Sequence, residues 1–400
     1  MANDHFCVMP FVHAFVTHKD IGPCCAYTKN PKLNSAITYW GSEQLQKIKE
    51  DMLNNVKKDG CNICWKKEER GYSSLRNHSN EIYKDYIEDI KKGIKYDSPF
   101  FIDLRLGNLC NLKCRMCNSD WSSQIADEIL TNPNELWDKI SNTKVTEIDD
   151  DTWQLLDTWI PYLKRVFMTG GEPTIIKKNL EYIKKIIDSN YAKNIELIFT
   201  TNATNINKEF LNLAKNFKSV HFAVSIDGTG DLASYIRYPS NWLKIKENLQ
   251  LIAQDNFGIS INTTIQWLNM SRLNEFFNFL DEFMQSKPKK FAGVWFQLVT
   301  DPNYLDPIHA PTFLKEKAIK DIDEFLTTST LLKDEKYSNI LFGEFKNSLI
   351  SCRNFLKDNL NSVKHVDQFI KQMNMLDRLR KQKLTNVLPE FQQLGAYYVK

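Results

Sequence analysis

The chain has 400 residues, 42% of them hydrophobic and 25% charged, values that suit a folded protein built from more than one compact part. Its formal net charge of +3 is too small to imply a nucleic-acid partner by itself. No uncharged apolar run reaches the length of about 18 residues that a membrane span needs, and the opening MANDHFCVMP lacks the basic-then-apolar order of a secretion signal. A cytoplasmic protein is therefore the default expectation.

The first 95 or so residues differ in pattern from the rest of the chain. Phe11 to Thr17 predicts a strand, and His18-Lys19-Asp20-Ile21-Gly22-Pro23 has the composition of a turn. Ser42 is placed to cap a helix with Leu45, Ile48 and Met52 at helical spacing. A further helical stretch follows Cys64 and runs past Ile82 and Tyr86. From about residue 99 strands alternate with helices. Strand candidates are Phe100 to Leu106, Arg165 to Thr169, Ile195 to Thr200, Val220 to Ile226, Ile259 to Ile265 and Phe291 to Val299. Amphipathic stretches such as Leu180 to Ile187 and Leu273 to Phe283 lie between them. Repeated βα units of this kind predict a parallel sheet, and six of them an open, partial barrel.

The segment from Pro133 to Pro161 is too long for a simple connection and predicts helices of its own, with Asp149-Asp150-Asp151 as a capping turn. The basic runs Lys287-Pro288-Lys289-Lys290 and Arg378-Leu379-Arg380-Lys381 read as solvated surface. Beyond Pro311 the chain is charged and helical, without a legible motif.

Nine cysteines is a high count for a chain with no export signal. Disulfides rarely persist in reducing cytosol, so clustered cysteines point to metal or redox chemistry. All but Cys352 fall into two groups, and Cys352 reads as a small buried apolar residue.

One group comes directly after the first barrel strand: Cys110-Asn111-Leu112-Lys113-Cys114-Arg115-Met116-Cys117. A CxxxCxxC spacing puts three thiolates in one short loop, where they can converge on one iron–sulfur cluster. Three cysteines for four irons leave one iron open to a substrate, as catalytic metal sites require. A zinc site short of one ligand and reduced cysteines without metal are the bland alternatives, but zinc sites more often use CxxC pairs and four ligands.

This loop resembles the signature of the radical S-adenosylmethionine (SAM) superfamily. The resemblance implies a [4Fe–4S] cluster on Cys110, Cys114 and Cys117, whose free iron binds SAM. Reduction then cleaves SAM to methionine and a 5′-deoxyadenosyl radical that abstracts hydrogen from a substrate. The residue before the third cysteine is often aromatic in that family and lies near the adenine; here it is Met116, which can still pack on a flat ring.

Later stretches fit the same resemblance. Gly170-Gly171-Glu172-Pro173 ends the second strand and would hold the SAM amino group, the glycines allowing close approach. Thr200-Thr201-Asn202 ends the third strand, with Asn202 near the ligand. Ser225-Ile226-Asp227-Gly228 ends the fourth, and Ser225 and Arg237 would hold the SAM carboxylate, the arginine fork matching that group. Asp227 either shares this site or caps the next helix. Tyr235, Tyr238, Trp295 and Gln297 are candidates to approach the substrate.

The second group, Cys7, Cys24, Cys25, Cys61 and Cys64, precedes the barrel. Four of these thiolates could close around one zinc ion or one cluster. The Gly22-Pro23-Cys24-Cys25 and Cys61-x-x-Cys64-Trp65 elements, with Glu68 and Tyr72-Ser73-Ser74-Leu75-Arg76, resemble radical SAM proteins with an N-terminal twitch (SPASM-like) domain. The resemblance implies an auxiliary [4Fe–4S] cluster on Cys7, Cys24, Cys61 and Cys64, with Cys25 the rival of Cys24. His13 and His18 read as packing or surface residues.

The expected architecture is an N-terminal twitch module (1–95), a partial (β/α)6 barrel (96–310) and a helical extension (311–400). A flavodoxin or ferredoxin would supply a low-potential electron. The substrate is expected to be a peptide side chain or a small metabolite. A non-catalytic metal-binding protein and an RNA-modifying enzyme are the competing classes.

Overall fold

The computed structural model describes residues 5–30, 35–69, 73–137, 148–286, 290–333 and 340–394. Among the described residues the sheet has eight strands: β1 (His13–Thr17), β2 (Ile21–Gly22), β3 (Phe101–Arg105), β4 (Arg165–Met168), β5 (Glu196–Thr201), β6 (Ser219–Ser225), β7 (Gly258–Ile265) and β8 (Phe291–Leu298). The last six match the expected barrel strands. The chain divides into two compact units, one of Met1–Asn108, Thr146–Phe199 and Lys208–Val220, the other of Leu109–Val145, Thr200–Asn207 and His221–Lys400.

In the first unit, β3, β4 and β5 pair in parallel, Phe101 opposite Arg165 and Arg165 opposite Glu196. Alternate residues (Ile102 and Leu104, Val166 and Met168, Leu197 and Phe199) have no exposed surface, the period-two pattern of a sheet face under cover. The helix Lys177–Asp188 supplies buried Tyr182, Ile183 and Ile186 at helical spacing. Asp149 accepts a hydrogen bond from the Thr152 amide at 2.7 Å and so caps Asp150–Trp159, as expected of the acidic run. Residues 138–147 of that connection lie outside the described residues.

Two features of the N-terminal region differ from the sequence reading. Residues Met9–Val12 form a helical turn with Pro10 in its first turn, so the strand begins at His13, not Phe11. β1 forms a hairpin with β2 across the expected turn, and its other edge pairs in parallel with β3 from His13 opposite Phe101 to Thr17 opposite Arg105. β1 and β3 thus lie in the same compact unit.

In the second unit, β6, β7 and β8 pair in parallel. The helix Leu273–Gln285 contributes Phe277, which stacks on Phe325 with ring centroids 4.2 Å apart. Phe325 belongs to Thr312–Thr328, the first long helix of the C-terminal region. Farther on, Phe369 of the helix Val366–Arg380 stacks on Trp267 at 4.7 Å. The extension is therefore part of this unit's core. Cys352 is buried there, and burial pushes its thiol up to about 12, as fits an apolar packing residue. Of the two basic runs, only Lys290 of the first is described. The second is not wholly solvated: Arg378 is exposed, but Arg380 is buried in an ion pair with Glu128. Among the described residues no helix is long and apolar enough to cross a membrane.

Candidate functional site

In the second unit the three-cysteine loop is held by backbone bonds from two sides. The Cys110 amide donates to Ser123 Oγ at 3.2 Å, and Ser122 Oγ donates to the Leu112 carbonyl at 2.7 Å. Opposite, the amides of Lys113 and Arg115 donate to the carbonyls of Tyr238 and Ile236. Cys110 is buried, and Cys114 and Cys117 are partly so. Burial pushes the Cys117 thiol up to about 12 and raises Cys114, for which Arg237 is the main opposing influence. Three soft donors in one loop, with Cys114 and Cys117 disfavoured as bare thiolates, suit a cationic iron–sulfur centre that stabilises thiolate by direct bonding.

Arg237 and Asp227 sit beside this loop as a buried ion pair, Nε to Oδ2 at 2.7 Å, and Arg237 Nη1 lies 3.9 Å from Cys114 Sγ. Burial works against the Arg237 charge, but Asp227 and Cys114 hold its pKa above the ordinary arginine value. Asp227 Oδ1 accepts from the Thr264 amide at 2.8 Å, while the next helix is preceded by Thr229. Asp227 therefore does not cap that helix. Ser225 ends β6 nearby in sequence and is half-buried.

Asn202 is buried and turned toward the loop. Its Nδ2 donates to Asn111 Oδ1 at 3.0 Å, and its Oδ1 accepts from Thr204. Met116 lines a small cavity with Cys114 and Cys117, walled also by Trp137, Tyr304 and Leu376. Tyr235 was a candidate to approach substrate. The structure instead buries it completely, with its ring under Arg115 and its hydroxyl donating to Asp377 at 2.8 Å. Trp295 and Gln297 lie on the exposed face of β8, two residues apart.

In the first unit, Gly170 has φ +112°, and a Cβ there would stand 3.1 Å from the Gly107 carbonyl oxygen. The Gly171 amide donates to that same oxygen at 3.3 Å. The glycine pair is thereby fixed to the chain just before the cysteine loop. Glu172 is 1% exposed, and its carboxylate accepts from Thr174 Oγ at 2.7 Å.

Also in the first unit, Cys7, Cys24, Cys61 and Cys64 line one small cavity with Met9, Ala26, Leu75 and Arg76. Arg76 ties it together: it pairs with Glu68 at 2.6 Å, donates to the Phe6 carbonyl at 2.9 Å and lies over the Trp65 ring. Glu68 also accepts from Ser74 Oγ, the cap of the helix Leu75–Ile82. Tyr72 of the same run lies outside the described residues. Cys25 does not line this cavity and is exposed, near the charges of Asp103 and Arg105. Burial pushes Cys7 and Cys61 up to about 12. Among the described residues no three His, Cys, Asp or Glu side chains converge as a single-ion site demands. His13 is a packing residue, fully buried with Nδ1 2.9 Å from the Pro23 carbonyl.

The sequence reading missed Arg115, Glu128, Asp377 and Arg380, which form buried ion pairs around the loop. Arg115 lies inside the motif itself, and that position was its only signal.

Residues 104–280 match the family model described as the radical SAM superfamily. An S-adenosylmethionine-dependent nucleotide dehydratase of Psychrobacter lutiphocae is 24% identical over 202 residues, 48% of this chain and 63% of that protein. The chain thus spans under two thirds of that relative's length. Among solved structures, Streptococcus suis SuiB bound to S-adenosylmethionine is 13% identical, covering 75% of this chain and 65% of its own, with a TM-score of 0.40. Native anSMEcpe with bound AdoMet is 16% identical, covering 56% of this chain and 59% of its own, with a TM-score of 0.39. The superfamily implies a [4Fe–4S] cluster and SAM, and residues 104–280 form a radical SAM domain.

Proposed function

We propose that Cys110, Cys114 and Cys117 hold the SAM-binding [4Fe–4S] cluster, and that the enzyme abstracts hydrogen from a small metabolite or a peptide side chain. The observation that carries this reading is the grouping of Arg237, Asp227 and Asn202 around one three-thiol loop. When bound and reduced, the cluster supplies the electron that cleaves SAM.

The chain's own residues would divide the remaining work. Arg237, its charge secured by Asp227, would receive the SAM carboxylate together with Ser225. Gly170, Gly171 and Glu172 would receive the amino group. Asn202 braces Asn111 and so keeps the loop's shape, and Met116 offers a polarizable surface to the adenine. Among substrates, the curated relative's name puts nucleotides and other small metabolites ahead of peptides for screening.

Cys7, Cys24, Cys61 and Cys64 would hold an auxiliary cluster within a twitch-like module of residues 1–95, ahead of the barrel (96–310) and the extension (311–400). The four thiols line one cavity, and the resemblance to twitch-bearing radical SAM proteins favours a polynuclear centre there over zinc. With all four ligands from protein, that cluster would pass electrons or hold shape rather than bind substrate. A flavodoxin or ferredoxin is the proposed reductant and the cytoplasm the proposed compartment.

The deciding experiment is anaerobic reconstitution with iron and sulfide counting, beside the Cys110/Cys114/Cys117→Ala triple variant. About eight irons falling to about four, with SAM cleavage lost, is the expected result for two cubane clusters. Zinc at both sites with no iron would sink the proposal.

A further inference from the structure

The cysteine loop is tied to the C-terminal extension through the two residues that flank Cys114. Arg115 has a side chain with no exposed surface. It donates from Nη2 to Asp377 Oδ1 at 2.6 Å and to Gln382 Oε1 at 3.0 Å, and from Nε to the Tyr235 carbonyl at 3.0 Å. Its guanidinium lies 3.6 Å from the Tyr235 ring centroid, and the Tyr235 hydroxyl returns to Asp377 Oδ1 at 2.8 Å. Asp377 Oδ2 accepts from the Leu384 amide at 2.6 Å. On the other side of Cys114, Lys113 pairs with Glu128 at 3.3 Å, and Arg380 grips the same carboxylate at 2.8 Å. Asp377 and Arg380 both lie in the last turn of the helix Val366–Arg380. Leu376 and Arg380 of that helix also wall the cavity lined by Cys114, Met116 and Cys117.

We infer that this helix is the positioning element of the cluster loop, with Asp377 its central positioning residue. The inference rests on the reading that the three cysteines hold the cluster. Cluster ligands on a short loop keep a productive geometry only when their neighbours are locked by packing and hydrogen bonds. A hydrogen-bonded buried network of charges does this, because each partner limits the others to one arrangement. Ordinary fold stabilisation would not require that both neighbours of one ligand reach the same helical turn. The last 90 residues thereby gain a role in the chemistry without touching substrate.

The test uses full-length protein reconstituted without oxygen, as wild type, Asp377→Asn, Asp377→Glu, Tyr235→Phe and the three-cysteine variant. Readouts are the rate of iron loss to EDTA and the change in the reduced cluster's electron paramagnetic resonance spectrum on adding SAM. Circular dichroism of each apoprotein reports folding. Asp377→Asn should lose iron about tenfold faster and show a weakened response to SAM. Asp377→Glu should recover part of both, and Tyr235→Phe should shift them in the same direction by less. Wild-type rates and spectra in a folded Asp377→Asn overturn the inference. Should that variant not fold, an unchanged Tyr235→Phe overturns it instead. A three-cysteine variant that kept a SAM-responsive spectrum would sink the cluster assignment, and this inference with it.

Discussion

Arg237 Nε stands 2.7 Å from Asp227 Oδ2, with the two side chains 14% and 0% exposed. Removing one member strands the other's charge in a buried place, which costs about 3 kcal/mol. Asp227→Asn should therefore lower the unfolding free energy by roughly that amount. It should also weaken SAM binding, since Arg237 loses the partner that fixes it. Arg237→Lys keeps the charge but not the fork, and should lose SAM affinity with a smaller stability change. Urea unfolding and equilibrium binding of SAM measure both. Equal SAM affinity in wild type and Arg237→Lys would remove Arg237 from the binding site.

Cys24 and Cys25 are adjacent in sequence but differ in surroundings, Cys24 lining the four-cysteine cavity and Cys25 lying exposed near Asp103 and Arg105. Cys24→Ser should remove the auxiliary cluster, leaving about four irons of about eight. Cys25→Ser should keep the full count. Iron analysis of both variants checks this, and the reverse result would exchange the two assignments.

Much of the second half of the fold was legible because its signals are local. The strands from Phe101 to Leu298 show apolar alternation, and glycine, asparagine or aspartate marks several of their ends. Long-range pairings left no such trace. Nothing near His13 announces that it will lie opposite Phe101, so this pairing is not legible in the sequence. Arg380 looks solvated in its basic run, because the Glu128 that buries it is 252 residues away. Phe11 and Val12 have strand-like side chains, yet Pro10 starts a helical turn there. At the candidate site, the cysteine spacing and Gly170-Gly171 were readable as chemistry. Tyr235 stood only as a candidate to approach substrate, since its bond to Asp377 depends on a helix about 140 residues later.

His13 provides a pH test of the N-terminal packing. Burial lowers its pKa to about 4, with the Pro23 carbonyl opposing. The folded state thus binds the proton less readily than the unfolded chain, whose histidine titrates near 6.5. Its stabilising contribution is complete above pH 6.5 and is lost as pH falls toward 4, amounting to about 3 kcal/mol over that window. His13→Gln should flatten the stability curve of the apoprotein between pH 7 and 4 by a comparable amount. Parallel curves for wild type and variant would show that His13 does not carry the linkage.

Gly170 should tolerate no side chain. Its φ of +112° is a conformation that L residues rarely adopt, at a cost of about 1–3 kcal/mol. A Cβ would also meet the Gly107 oxygen at 3.1 Å and the Arg105 Cα at 3.4 Å, both backbone atoms of the first barrel strand and its exit. Neither can rotate aside as a flexible side chain could. Gly170→Ala should therefore depress the melting temperature and, by shifting the glycine pair, weaken SAM binding. Gly41→Ala is the matched control, since nothing lies within 4 Å of a Cβ there. That variant should melt and bind SAM as wild type does. If Gly170→Ala behaves like Gly41→Ala in both measurements, the glycine pair is an ordinary turn and not part of the SAM site.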